Sequence, residues 1–189
     1  MPIALIVLLA QSPDAPRFQT VTVYNSAFAF SLNDGALWAG RGWNQLVRAG
    51  VRARWGRVTL MLAPELVSSE NRAYAVPSTR PYSIDLPERF GARGFSRLEP
   101  GQSTLALDLG AVTVGASTAN EWWGPGIRNA IVLSNNAPGI WRGFVRFRRG
   151  NFSARWFLGG LFESPYFDTS AANDRRAISA AQVTWSTPT

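Results

Sequence analysis

Strict alternation decides the fold along the stretch Asn44-Gln45-Leu46-Val47-Arg48-Ala49-Gly50-Val51-Arg52-Ala53-Arg54-Trp55. From Val47 to Trp55, apolar side chains occupy every second position, and arginine or glycine occupies the positions between them. A period of two residues is typical of a β-strand with one apolar and one polar face. Gly56-Arg57 then offers a tight turn, after which apolar residues recur at every second position. The stretch therefore predicts a β-hairpin.

The same pattern recurs twice further along the chain. Residues 104–109 and 112–117 form a second predicted hairpin through Gly110-Ala111, and residues 143–148 and 152–162 form a third through Arg149-Gly150-Asn151. Two longer connections, 68–102 and 118–141, separate the hairpins, and residues 182–189 read as a strand cut short. No stretch has the period of an amphipathic helix. We expect an all-β, antiparallel meander of about eight strands.

Composition narrows the classes of function. The chain has 189 residues, of which 46% are hydrophobic and 16% charged, as in an ordered domain. It has neither cysteine nor histidine, which excludes a disulfide scaffold, a thiolate nucleophile and any catalytic triad with an imidazole base. The chain has nineteen basic residues, all of them arginine, and twelve acidic residues. The resulting net charge of +7 favours an anionic partner. We expect no cofactor, no metal and no catalytic activity.

The character of the two strand faces bears on the environment of the sheet. No run approaches the roughly 18 to 20 apolar residues of a membrane helix, so a membrane protein with this sequence must be a barrel. The apolar faces are rich in aromatic residues, and the opposite faces carry arginine, glycine and serine. Segments of about 10 alternating residues with this distribution are typical of outer-membrane barrels. The pattern alone also permits a soluble sandwich that buries its apolar face.

The apolar stretch 3–10 resembles the hydrophobic part of a secretory signal that ends at Leu8-Leu9-Ala10. An ordinary apolar N-terminus is the alternative. We therefore divide the chain into a possible signal or N-terminal segment, 1–16, and a partial barrel domain, 17–189.

Residues 121–139 carry the most specific motif of the chain, Glu121-Trp122-Trp123-Gly124-Pro125-Gly126 followed by Ser134-Asn135-Asn136-Ala137. The segment resembles the signature of the Wzi family of capsule assembly proteins, outer-membrane barrels that hold capsular polysaccharide at the cell surface. Further stretches similar to that family are 24–26, 33–42, 85–91, 100–103 and 163–168. Family members have about eighteen strands and a chain more than twice as long. The resemblance therefore implies a piece of a large outer-membrane barrel, expected here as an incomplete, open sheet.

The motif also suggests a carbohydrate site. The candidate polysaccharide-binding residues are Glu121, Trp122, Trp123, Arg128, Asn129, Asn135 and Asn136. Tryptophan faces can lie against sugar rings, asparagine amides can pair with hydroxyls, and an arginine can hold a uronate carboxylate with two hydrogen bonds. The alternative is structural: inward-packed tryptophans and asparagines that satisfy loop backbone.

Six arginines, Arg48, Arg52, Arg54, Arg146, Arg148 and Arg155, fall on the polar faces of their predicted strands. In a barrel they would line the lumen and attract an acidic polysaccharide. The alternative is a ladder of ion pairs with Glu65, Asp108, Glu121 and Glu163 that only ties the interior together.

We thus expect a bacterial outer-membrane β-barrel that binds capsular or other acidic surface polysaccharide and assists capsule assembly and attachment without catalysis. Its other partner would be outer-membrane lipid. A passive, anion-preferring outer-membrane channel and a soluble, secreted carbohydrate-binding β-sandwich are the alternatives. Nucleic acid is not expected, because the stretch 142–147 resembles only a fragment of an RNA-stacking strand.

Overall fold

The structure, a computed structural model, describes residues 18–74, 90–91, 93–124, 126, 130, 132–162 and 174–187. These residues form eleven β-strands and no helix: β1 Phe18–Asn25, β2 Gly42–Ala49, β3 Val51–Trp55, β4 Val58–Leu62, β5 Glu65–Ser69, β6 Phe95–Glu99, β7 Thr104–Asp108, β8 Val112–Ser117, β9 Trp141–Arg149, β10 Phe152–Phe162 and β11 Arg175–Trp185. Wherever two of these strands are hydrogen-bonded neighbours, they run antiparallel. The all-β, antiparallel prediction is confirmed.

The strands form two sheets, in the orders β1-β2-β5-β6 and β11-β10-β9-β8-β7-β4-β3, and the chain continues directly from one sheet into the other. Arg48 lies opposite Glu65 and Val51 opposite Leu62, so the register is the same on both sides of the gap. The gap contains Pro64, which has no N–H to donate to a sheet ladder. Across the boundary between the two sheets, β2 therefore continues into β3, β4 into β5 and β6 into β7. When each such pair is counted as one strand, the meander has eight strands.

A one-residue bulge lies where β6 continues into β7. Met61 is opposite Thr104 and Glu65 is opposite Glu99, so five steps along one strand match four along its partner. Gly101, at φ 60°, supplies the left-handed backbone conformation inside this extra length. Because the bulge adds one residue, the odd-numbered side chains of β6 and the even-numbered side chains of β7 lie on the same face of the sheet.

The three predicted hairpin turns are confirmed. Gly56, Gly110 and Gly150 each have a positive φ and connect β3 to β4, β7 to β8 and β9 to β10. All three turns lie at one end of the meander, which we call the turn end. The connections at the opposite end, the loop end, are long: 118–140 joins β8 to β9, and 163–174 joins β10 to β11.

The register separates the two faces as the alternation predicts. One face, the inner face, carries Arg52, Arg54, Arg146, Arg148 and Arg155; the other, the outer face, carries Val51, Trp55, Leu60, Val145 and Trp156. Val47 and Arg48 point to opposite faces in β2 in the same sense. The sheet therefore has one basic and one apolar face.

The buried core lies on the inner face. Beneath β2 and β5, Leu46 and Val67 pack with Ala36 and Leu37 of the segment between β1 and β2. Beneath β9 and β10, Phe144 and Phe157 pack with Trp123 of the segment between β8 and β9. Each cluster thus forms where a long connection folds back over the inner face.

The outer face, by contrast, is exposed. Trp55, Leu105, Trp156, Val183 and Trp185 all leave about half or more of their surface accessible. In a soluble antiparallel sheet the apolar face packs on the core and the polar face meets water. Here the relation is reversed, because the buried clusters lie on the basic face, which long connections cover in part, whereas the apolar face is left open.

The sheet is open among the described residues, because its terminal strands β1 and β11 do not pair with one another. The described chain contains no helix long and apolar enough to cross a membrane.

Two boundaries differ from the sequence prediction. The connection expected over residues 68–102 contains the end of β5 and all of β6, which pair with each other. The strand β6 was missed because its faces mix residue types: Phe95 shares one face with Arg97, and Leu98 shares the other with Ser96. The last strand is Arg175–Trp185, rather than a strand beginning at Gln182. The possible signal segment 1–16 lies outside the described residues.

Close packing of the sheet onto its inner-face core makes Gly115 a sensitive position. A Cβ there would meet the Leu105 carbonyl oxygen and lie 2.8 Å from Phe144 Cζ, whereas a Cβ at Gly143, on the neighbouring strand, would meet only the Gly115 oxygen at 4.0 Å. We expect Gly115→Ala to lower the free energy of unfolding by about 1–3 kcal/mol. Gly143→Ala, the matched control, should change it little. Urea titration followed by tryptophan fluorescence measures both, and equal effects would contradict the inner-face packing.

Candidate functional site

The described residues of the segment 118–140 lie against the inner face of β9 and β10. Trp123 is 4% exposed, and its ring meets Phe157 edge-on at 5.4 Å between centroids. Trp123 N–H donates to the Leu133 carbonyl oxygen at 3.0 Å, and the Trp123 carbonyl oxygen accepts from Val132 N–H at 3.1 Å, which closes the segment into a local ribbon. The segment is therefore held by an aromatic core beneath it and by its own backbone.

A single carboxylate ties the segment to three arginines of the sheet. Glu121 Oε1 accepts a hydrogen bond from Arg142 Nη2 at 2.6 Å, and Glu121 Oε2 accepts one from Arg155 Nη1 at 2.8 Å. Arg146 Nη2 lies further away, at 3.7 Å. The Arg142 side chain is 1% exposed, so burial removes its charge from water and makes the Glu121 partner necessary. Charge in this cluster remains positive overall.

The two neighbouring tryptophans have different environments. The Trp123 indole is buried; its Nε1 donates to Glu121 Oε2 at 3.0 Å, and the Arg155 guanidinium lies 4.5 Å from its ring centroid. Trp122 is partly exposed, and its Nε1 donates to the Gly126 carbonyl oxygen at 2.9 Å. Trp122 therefore keeps ring surface that a ligand can reach, whereas Trp123 is part of the inner-face core.

The asparagine pair joins two long connections. Asn135 Nδ2 donates to the Asn33 carbonyl oxygen at 3.0 Å, and Asn33 N–H donates to Asn136 Oδ1 at 2.7 Å. Gly35 N–H also donates to the Asn135 carbonyl oxygen at 2.8 Å. These contacts bring the stretches 33–42 and 121–139 together, although about a hundred residues separate them. Both asparagines thus hold loop backbone in this structure.

Beside this junction lies a cavity of about 560 Å³, which we call the loop-end cavity. Its charged and amide lining comes from three parts of the chain: Arg97 and Glu99 of β6, Asn120 and Glu121 of the segment 118–140, and Arg142 of β9. Ser134 and Leu133 add a hydroxyl and an apolar group to this lining. Two further candidates, Arg128 and Asn129, lie outside the described residues.

The six predicted basic residues divide into different environments. Arg48 is on the four-stranded sheet, where it pairs with the buried Glu65 and donates to Gln19 Oε1 at 2.6 Å. Arg155 donates hydrogen bonds to the side-chain oxygens of Glu121 and Gln182. Arg52 and Arg54 lie on the edge strand β3 of the seven-stranded sheet, and both are exposed. Arg146 and Arg148 remain largely exposed on the inner face, towards the turn end.

Sequence reasoning missed the most deeply buried member of the cluster, Arg142. Arg142 has the same parity as Arg146 and Arg148, so extending the predicted strand 143–148 by one residue would have placed it on the inner face. Arg97 was also missed; its Nη2 donates to the Ala36 carbonyl oxygen at 2.8 Å, and its guanidinium lies 4.4 Å from the Phe90 ring centroid. No pattern in the sequence indicates that contact, because it joins parts of the chain that are 61 residues apart.

Comparison of the chain with protein-family models, curated proteins and solved structures found no match. The resemblance to the Wzi family stays a prediction.

The Glu121 cluster predicts a contrast between two arginines of one strand. Arg142→Gln should lower the free energy of unfolding by about 3 kcal/mol, because it leaves the Glu121 carboxylate short of a buried partner. Arg146→Gln should lower it by less than about 1 kcal/mol, because the Arg146 side chain is 50% exposed and its ion pair is long. Both variants lose the same charge, so urea titrations at equal ionic strength compare them directly. Similar losses would show that Glu121 does not anchor the segment through Arg142.

Proposed function

We propose that the chain is part of an outer-membrane β-barrel that binds acidic surface polysaccharide on its inner face and assists its attachment, without catalysis. The observation that carries this proposal is the reversed sheet: an exposed apolar face backed by a basic face that the long connections cover in part. Contiguous exposed apolar surface marks contact with lipid or with another protein. The resemblance to the Wzi family points to the same function.

The height of the outer apolar band supports a membrane environment. Apolar residues occupy every outer position of β2–β3 from Val47 to Trp55 and of β4–β5 from Val58 to Leu66. Nine residues at about 3.3 Å per residue span roughly 26 Å along the strand, close to the 9–11 residues of a transmembrane β-strand.

A polar row marks the end of that band. Beyond Val47 and Leu66, towards the loop end, the next outer row is Thr22, Gln45, Ser68 and Ser96, which lie side by side on four strands. Such a change on one continuous face is expected where a strand leaves the hydrocarbon region.

Aromatic side chains flank the band, as in the girdles of outer-membrane barrels. Near the turn end, Phe152 contacts Phe147 at 5.9 Å and Trp185 at 6.4 Å between ring centroids. Near the loop end, Trp141 and Phe162 are 60% and 69% exposed. Tryptophan favours the membrane–water interface because its indole is largely apolar but carries one polar N–H group.

The inner face supplies the groups that a polysaccharide requires. Arginines, asparagine amides and the partly exposed Trp122 ring lie close to the loop-end cavity or on the segment that borders it. Sugar rings stack on aromatic faces, and their hydroxyls and carboxylates pair with amides and guanidinium groups. The passive-channel alternative requires an open interior, whereas the segment 118–140 covers part of the inner face.

If the outer face contacts the membrane, an added arginine should be tolerated on the inner face and not at the adjacent position on the outer face. Leu60→Arg places a charge on the outer face, at a cost of about 2–4 kcal/mol in the middle of a bilayer, whereas Thr59→Arg adds the same charge to the inner face beside Arg54. The unaltered chain and Thr59→Arg should both be recovered in urea-washed outer membranes. Leu60→Arg should be depleted there. Recovery of the unaltered chain from the soluble fraction would exclude the membrane assignment and favour the sandwich.

The two tryptophans predict different losses of polymer binding. Trp122→Ala should leave the folded yield unchanged and lower the affinity for polygalacturonate several-fold, since a stacking contact contributes on the order of 1 kcal/mol. Trp123→Ala should mainly lower the folded yield, because it removes a core side chain against Phe157. Retention of labelled polymer on vesicles, divided by folded protein, measures both effects. Unchanged retention per folded molecule in Trp122→Ala would exclude Trp122 as a contact, and steady ion conductance without polymer retention would favour the channel.

A further inference from the structure

A second cavity, of about 580 Å³, lies on the inner face near the turn end. Its polar lining includes Arg146, Arg148, Arg155, Thr113, Ser153 and Gln182. None of its lining residues borders the loop-end cavity. The two cavities are therefore separate sites on one face.

The charge of this turn-end cavity is only partly compensated. Glu121 makes its two short ion pairs with Arg142 and Arg155, and it reaches Arg146 only at 3.7 Å. The Arg148 guanidinium has no hydrogen bond or ion pair with any side chain in the part of the chain that the structure describes. Along the inner face of β9, positive charge thus becomes progressively less neutralised from Arg142 to Arg148.

Neutral donors and acceptors surround this charge. Thr113 and Ser153 carry hydroxyls, and Gln182, whose Oε1 accepts from Arg155 Nε at 2.6 Å, also carries an amide NH₂ donor. Asp108 also lines the cavity, and one of its oxygens accepts from the Gly110 N–H at 2.9 Å. The site therefore combines cationic forks for an anion with several partners for hydroxyl groups.

We infer that the turn-end cavity is a subsite for one uronate residue of an acidic polysaccharide, with Arg148 and Arg146 holding the sugar carboxylate. A planar carboxylate accepts two parallel hydrogen bonds from a guanidinium group, and the hydroxyls and amide around it match the remaining sugar oxygens. Asp108 can accept a sugar hydroxyl, and its charge disfavours a dianionic phosphate more than a monoanionic carboxylate. This inference rests on the proposed function, since it names the sugar class that the same inner face selects.

Arg149 provides a matched control. It follows Arg148 directly, carries the same charge and lies on the outer face, because adjacent residues of β9 point to opposite faces. Calorimetric titration of the full chain in lipid vesicles with trigalacturonate should show Arg148→Gln weakening binding by about tenfold at low salt, with Arg149→Gln within about twofold of the unaltered chain. Arg148→Lys, which keeps the charge and loses the fork, should still be weakened several-fold. Galactotriose, the neutral counterpart, should show no dependence on Arg148.

Several outcomes would overturn the subsite. Equal losses in Arg148→Gln and Arg149→Gln would indicate unspecific attraction by net charge, and no loss in either would remove Arg148 from the site. Displacement of trigalacturonate by an equal concentration of inorganic phosphate would indicate a general anion site. The subsite would be refuted, and the proposed function would remain supported, if polymer retention depends on Trp122 but trigalacturonate binding is independent of Arg148. A chain that is absent from the membrane and retains no polymer would refute the proposed function itself.

Discussion

The Glu121 carboxylate lies among three guanidinium groups, and the position of the segment 118–140 on the inner face depends on it. Arg142 is almost fully buried, and a buried guanidinium is stable only with a close anionic partner. That partner comes from the segment 118–140, not from a neighbouring strand. Because Glu121 also pairs with Arg155, it connects the segment to both β9 and β10. Trp123 then covers Phe157 and completes the core beneath these strands.

This arrangement explains why the apolar face of the sheet stays exposed. The long connections are anchored to the inner face by ion pairs, by the contacts of Asn135 and Asn136, and by two apolar clusters. No described segment of the chain covers the outer face to the same extent, and its large hydrophobic side chains remain accessible. A solvent or partner of low polarity is the physical requirement of such a surface, and it is the basis of the membrane proposal.

Strand interiors and turns followed from local pattern. The alternation around Val145 and Arg146 assigned each side chain to the correct face, because successive side chains of a strand point in opposite directions whatever the rest of the fold does. Gly56, Gly110 and Gly150 marked the hairpins because a tight turn needs a backbone conformation that glycine adopts without strain. The strand β6 escaped detection since neither of its faces is uniformly apolar.

The sequence by itself therefore determined the secondary structure class, the two-faced sheet and the basic character of one face, all of which depend on neighbours within a few residues. Only the tertiary structure decided which arginines carry uncompensated charge, because the acid that neutralises Arg142 and Arg155 lies 21 and 34 residues away. It also distinguished Trp122 from Trp123, adjacent residues of one type. Trp123 enters the core because Phe144 and Phe157, from two later strands, form a surface that it fills, and a contact of that kind leaves no trace in local periodicity.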